Sequence, residues 1–268
     1  MTPATRRPVT PVRKRFGQNF LRDGNTIDRI IAAVDPKPGE HIVEIGPGHG
    51  ALTDRLARSG CRLHLIEIDF DLGRELAIKF GDSVDIIEAD VLRFDLNDVP
   101  GERPLRIVGN LPYNISTPLL FKLFRHMPDI RDMHFMLQLE VVDRIVARPS
   151  SPAYGRLSVM CQYHCRPAKL FSVPATAFFP KPKVMSSVIR MEPREPGAKQ
   201  AADVQLLEDL LNRTFSQRRK TIRNAMKSFL AAEDFAALGL DPSLRPENLT
   251  PDQFVDCANF ISSKRGSA

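Results

Sequence analysis

No apolar run in this chain approaches the length of a membrane span, which argues against a membrane-spanning helix. The amino terminus, Met1 to Phe20, is basic but lacks the apolar core of a secretory signal. Cysteine is scarce, and Cys61, Cys161, Cys165 and Cys257 form no ligand-spaced set. Cys161 and Cys165 lie four apart in a strand-like run, where buried thiols are expected rather than zinc ligands. No metal site and no internal repeat is expected. A reduced, cytoplasmic protein is the reading.

Acidic residues are missing from two stretches. None occurs among the first twenty residues, where Arg6, Arg7, Arg13, Lys14 and Arg15 crowd together. None occurs between Arg213 and Lys227, a stretch that also holds Arg218, Arg219, Lys220 and Arg223. The net charge of +6 understates this polarity, and two basic clusters on an otherwise balanced chain suggest a polyanionic partner. A solvated charged surface is the plain alternative.

What the chain does have is a loop around which the rest is organised, Asn110-Leu111-Pro112-Tyr113-Asn114-Ile115-Ser116. It follows Leu105-Arg106-Ile107-Val108-Gly109, a short buried strand. It precedes Thr117-Pro118, where Thr117 can cap a helix and Pro118 suits its first turn. A side-chain amide oxygen and a backbone carbonyl fixed by Pro112 can accept two hydrogen bonds from an exocyclic amine. The Tyr113 ring can stack on the heterocycle that carries it. The alternative is a strand-to-helix loop that uses Pro and Asn as turn residues only.

In chain order, residues 1–13 read as a flexible basic tail. A helix then carries Ile27, Ile30, Ile31 and Val34 on one face and ends before Pro36. His41-Ile42-Val43-Glu44-Ile45 reads as a strand running into Gly46-Pro47-Gly48-His49-Gly50, with a helix from near Ala51. Strand, glycine loop and helix open a dinucleotide- or nucleoside-binding α/β unit, and G-x-G-x-G departs from the G-x-G-x-x-G dinucleotide fingerprint. The second strand, residues 62–66, ends at Glu67, about twenty residues beyond Gly46, where an acid chelates ribose hydroxyls. The third, residues 84–87, runs to Asp90, an acceptor suited to an adenine amine.

Further strand-like runs are residues 134–137, 157–161 and 184–189. Seven strands, at first alternating with helices, make a Rossmann-like, mostly parallel sheet with helices on both faces. Phe178-Phe179-Pro180-Lys181-Pro182-Lys183 is either a proline-rich connection or the second aromatic face around a base. A linker at about 193–201 separates a domain at 14–195 from a small all-helical one at 200–268.

These pieces in this order resemble the ribosomal RNA adenine N6,N6-dimethyltransferases. The resemblance runs from about Lys14 to Phe260. It is carried by Phe16-Gly17-Gln18-Asn19-Phe20-Leu21, Glu44-Ile45-Gly46-Pro47-Gly48, Glu67-Ile68-Asp69, Gly109 to Ser116 and Tyr154-Gly155-Arg156-Leu157-Ser158. The segments Phe178 to Val184 and Phe215 to Asn224 match as well. It implies a class I methyltransferase domain that uses S-adenosyl-L-methionine, followed by a helical RNA-binding domain.

The implied reaction methylates N6 of two adjacent adenosines near the 3′ end of 16S rRNA, in the small ribosomal subunit. Asn19, Leu21, Gly46, Glu67, Asp90 and Asn110 would hold the cofactor. Asn110, Leu111, Pro112, Tyr113 and Phe178 would act on the base, Phe178 rather than Phe179 being the aromatic that stands before x-Pro. Arg218, Arg219, Lys220, Arg223 and Lys227 would meet RNA phosphates. A monomer with no membrane contact is expected. The rivals are the related large-subunit adenine methyltransferases, a DNA adenine methyltransferase, and an assembly factor that binds without catalysis.

Overall fold

A computed structural model describes residues 19–217 and 219–266. The expected tail at 1–13, Phe16 to Gln18 of the first motif, and Arg218 lie outside the described residues. The chain divides into two compact units, one holding residues 19–139 and Leu170–Arg190, the other Glu140–Lys169 and the chain from Met191. The second unit thus includes residues 140–169, whereas the sequence reading set one boundary near residue 195.

In the first unit, β1 (Phe20–Leu21) leads into α1 (Gly24–Val34). Asp23 caps α1, accepting from Thr26 N–H at 2.8 Å, and Ile27, Ile30 and Val34 are buried along one face. Then follow β2 (His41–Ile45), α2 (Thr53–Leu56), β3 (Arg62–Glu67), α3 (Phe70–Phe80) and β4 (Asp85–Glu88). β5 (Leu105–Asn110), α4 (Ser116–Leu123) and β6 (Ile130–Gln138) complete the alternating part.

Past it come α5 (Leu139–Ile145), α6 (Arg156–His164), β7 (Cys165–Val173), β8 (Phe178–Phe179) and β9 (Ser186–Pro193). The main sheet has seven strands in the order β4-β3-β2-β5-β6-β9-β7. β4, β3, β2, β5 and β6 run parallel. Central residues of β2, β3, β5 and β6, such as Val43, Leu65, Val108 and Phe135, are wholly buried. That matches continuous apolar runs covered on both faces.

One expected strand is a helix. Residues 157–161 lie in α6, and Leu157, Ser158, Val159, Met160 and Cys161 are all buried. A segment buried on every side shows no period, so its composition alone does not separate strand from helix. The seventh strand is β7, at the end of the sheet order. Its Pro167 and mixed burial hide it in the sequence, and an edge position tolerates proline. All four cysteines are free and buried.

In the second unit, α7 (Val204–Phe215) is capped by Asp203 and buries Leu206, Leu207, Leu210 and Leu211. α8 (Ile222–Ala225), α9 (Asp234–Ala237) and α10 (Pro251–Gly266) follow. Phe215 and Phe254 meet with ring centroids 5.5 Å apart. The buried Tyr154 hydroxyl donates to the Leu249 carbonyl at 2.9 Å. No described helix is long and apolar enough to cross a membrane.

Candidate active site

A cavity of about 240 Å³ opens at the carboxyl ends of β2, β3, β4 and β5. Parallel sheets place ligands there, because the loops leaving adjacent strand ends diverge and leave a crevice. The segments that wall it are residues 19–21, 44–49, 66–68, 89–92 and 110–115. Five of the predicted cofactor residues, Asn19, Leu21, Gly46, Glu67 and Asp90, are therefore together, with Asn110 as the sixth.

The glycine loop owes its path to backbone freedom at Gly46 and Gly48, with φ of 65° and 58°. A Cβ on Gly48 would come within 3.0 Å of the Phe20 ring, so this loop and β1 approach at a distance only glycine allows. Glu67 is 5% exposed, and its two oxygens are separately held. Oε1 accepts from Asp69 N–H at 2.9 Å and Oε2 from Gly48 N–H at 3.2 Å. Burial pushes its carboxyl up, against the pull of those amides. Asp90 accepts from Leu92 N–H at 2.9 Å. Each fixed carboxylate retains lone pairs for a ligand, which suits a vicinal diol at Glu67 and an amine at Asp90.

At the end of β5, Asn110 Nδ2 donates to the Asn19 carbonyl at 2.9 Å. With the amine side of the amide engaged, Oδ1 is the atom able to accept from a ligand. The Pro112 carbonyl accepts from Ile115 N–H and from Ser116 Oγ, each at 3.1 Å. The carbonyl suited to a ligand is therefore that of Leu111, fixed by the peptide bond to Pro112. The Tyr113 hydroxyl bonds Ser186 Oγ at 2.8 Å, and burial raises its pKa. α4 begins at Ser116, so Thr117 is not its cap. Ser116 instead ties the turn by donating to the Pro112 and Tyr113 carbonyls.

Phe178 does not wall the cavity. It pairs with Leu21 in the two-residue ladder of β1 and β8 and packs into the apolar cluster with Leu21 and Ile27. The register turns Phe178 inward and leaves Phe179 outside. Arg219, Lys220, Arg223 and Lys227 are exposed in the second unit.

Glu44, Phe20 and His49 are among the cavity residues to which the sequence assigns no role. Glu44 is 2% exposed, accepts from Thr53 Oγ1 at 2.7 Å, and is pushed up to about 7 by burial, with Glu67 nearby adding to the effect. Its signal was a lone acid inside an apolar strand. Phe20 and His49 meet with ring centroids 4.4 Å apart, a contact that no local pattern announces.

The sequence matches the ribosomal RNA adenine dimethylase family over residues 9–263. The chain belongs to that family. Among relatives of this dimethylase is the "Ribosomal RNA small subunit methyltransferase A" of Vibrio parahaemolyticus, 52% identical, covering 93% of this chain and 94% of the relative. The Pseudomonas aeruginosa protein of the same name is 49% identical, covering 95% and 96%. In fold the dimethylase is similar to a dimethyladenosine transferase from Plasmodium falciparum, with TM-score 0.79 and 24% identity over 92% of this chain and 98% of that one. The 23S rRNA methyltransferase ErmE gives 0.72 and 24% over 91% and 100%. The fold is that of class I methyltransferases, and the dimethylase is an rRNA-modifying enzyme.

Proposed function

We propose that this dimethylase methylates N6 of two adjacent adenosines near the 3′ end of 16S rRNA, from S-adenosylmethionine, to give N6,N6-dimethyladenosine. It does so as a cytoplasmic monomer during maturation of the small ribosomal subunit. The observation that carries the reading is the Asn110–Tyr113 loop, with one amide oxygen and one backbone carbonyl beside an anchored aromatic ring. Identity near 50% to proteins named for the small subunit favours that subunit over the large one.

The cavity fits the cofactor by its donor set: a buried, amide-held carboxylate for ribose, an acid for the adenine amine, and a glycine loop for the amino-acid end. When bound, the cofactor supplies a methyl group already activated on a sulfonium. The protein's task is the acceptor, because the adenine N6 lone pair is delocalised into the ring. Asn110 Oδ1 and the Leu111 carbonyl accept hydrogen bonds from N6, two in the first transfer and one in the second, and favour a tetrahedral nitrogen; each methylated, cationic nitrogen then releases a proton to water. Positioning and charge stabilisation then provide most of the catalysis.

The adenosine leaves its stack to reach the pocket, and Tyr113, pinned through Ser186, grips it. Arg218, Arg219, Lys220, Arg223 and Lys227 position the rRNA through its phosphates without reading bases. Asn110→Ala tests the reading against a purely binding role. It should bind unmethylated small subunits as the wild type does and lose methyl transfer by about 10²-fold or more. Transfer that survives the substitution at the wild-type rate would remove Asn110 from the mechanism.

A further inference from the structure

Phe179 and its neighbours form a surface feature that the methyl transfer leaves unused. The ladder of β1 and β8 pairs Phe20 with Phe179 and Leu21 with Phe178. Successive strand residues face opposite sides. Phe178 is accordingly 5% exposed in the core, and Phe179 is 51% exposed. A half-exposed phenylalanine gains little from burial, so its place calls for another account. It stands directly across the ladder from Phe20, which walls the cofactor cavity.

The surroundings of Phe179 are cationic. The guanidinium carbon of Arg22 lies 4.2 Å from the centroid of the Phe179 ring. Arg22, Lys181 and Lys183 are exposed. Arg22 itself is held by the turn that leaves β1, its backbone N–H donating to the Ala177 carbonyl at 2.8 Å. An aromatic face backed by a guanidinium, with two exposed lysines two and four residues further along the chain, suits an unpaired nucleotide, the ring taking the base and the cations its phosphates. An apolar protein partner would leave those three cations without counter-charge.

We propose that Phe179, backed by Arg22, is a stacking platform for the nucleotide that flanks the target adenosine. The inference rests on the proposed action on two adjacent adenosines. While one is in the pocket, its neighbour is splayed from the duplex stack and needs a surface. Stacking is indifferent to whether that neighbour is methylated, so the same platform serves both target positions. Phe179 is thereby a positioning residue, distinct from Tyr113, which grips the reacting base.

The test uses the full chain and small subunits reconstituted with 16S rRNA in which either target adenosine is replaced by uridine. Each substrate then holds one target beside a strong or a weak stacking neighbour. Wild-type protein should methylate the native substrate roughly 5- to 100-fold more efficiently, in kcat/KM, than at least one uridine substrate. Phe179→Ala should lose a similar factor on the native substrate and no longer distinguish the neighbours. Phe179→Trp should restore both rate and discrimination.

Cofactor affinity by calorimetry and the melting temperature should be unchanged in Phe179→Ala and in a second, polar replacement, Phe179→Thr. Undiminished discrimination by Phe179→Ala would overturn the proposal. So would a loss of cofactor affinity, which would make the ring part of the cavity wall. Failure of the wild type to methylate native small subunits would instead overturn the proposed function itself.

Discussion

Glu67 and Glu44 show how one strand end and one strand interior put the same residue type to different uses. Glu67 is oriented by two amides and faces the cavity. Glu67→Gln presents an amine to Gly48 or Asp69 N–H and loses the charge, so cofactor affinity measured by calorimetry should weaken about 10- to 100-fold. Glu44 has no such pair of amides, and its burial raises it from 4.5 to about 7. A carboxyl raised on folding holds its proton between those values while the unfolded chain has released it. Stability therefore falls as pH rises from about 4.5 to about 7, by ~3 kcal/mol at most from this group.

Glu67, also raised, acts in the same direction. Glu44→Gln keeps an oxygen for Thr53 and should flatten that slope, with denaturant midpoints at pH 5 and pH 8 closer than in the wild type. At this scale the site was largely legible. Asn19, Gly46, Glu67, Asp90 and Asn110 follow from motif and strand-end position. Glu44, Phe20 and His49 do not, because their place depends on contacts between β1, the glycine loop and α2 that no local spacing encodes. Phe178 lies off the cavity wall because the register of a two-residue ladder, which no local spacing encodes, turns it inward.

Elements are joined here by a buried ion network as well as by apolar contact. Arg106 on β5 lies opposite Asp132 on β6 in the parallel register. Its Nη2 is 2.9 Å from Asp132 and its Nη1 2.8 Å from Glu40. Burial alone would raise the Asp132 carboxyl, but bonds from His134 and Arg106 outweigh it and hold it below its ordinary value. Asp132→Ala removes the carboxylate that holds Nε and Nη2, leaving the buried guanidinium with Glu40 on Nη1, and should cost about 3 kcal/mol in denaturant unfolding, whereas replacing both Arg106 and Asp132 with leucine should cost less. The alternating βα half was readable because its strands are short apolar runs broken by glycine and acids. α6 and β7 were not, the first being buried all round and the second being an edge strand interrupted by proline.

For the whole molecule the charge distribution matters more than the net charge. Arg219, Lys220, Arg223 and Lys227 are exposed, and the phosphate contacts proposed for them would make binding depend on salt. Replacing Arg223 and Lys227 by alanine should lower the slope of log affinity against log salt by about 2 for small-subunit binding. Cofactor affinity should not change. What defines the enzyme is which nucleic acid receives the methyl group. Labelled methyl from S-adenosylmethionine should be offered to unmethylated small subunits, large subunits and bare DNA in parallel, and the products digested. Label is expected in small subunits alone, recovered as N6,N6-dimethyladenosine. Label in large subunits, or tight small-subunit binding without label, would contradict the proposed function.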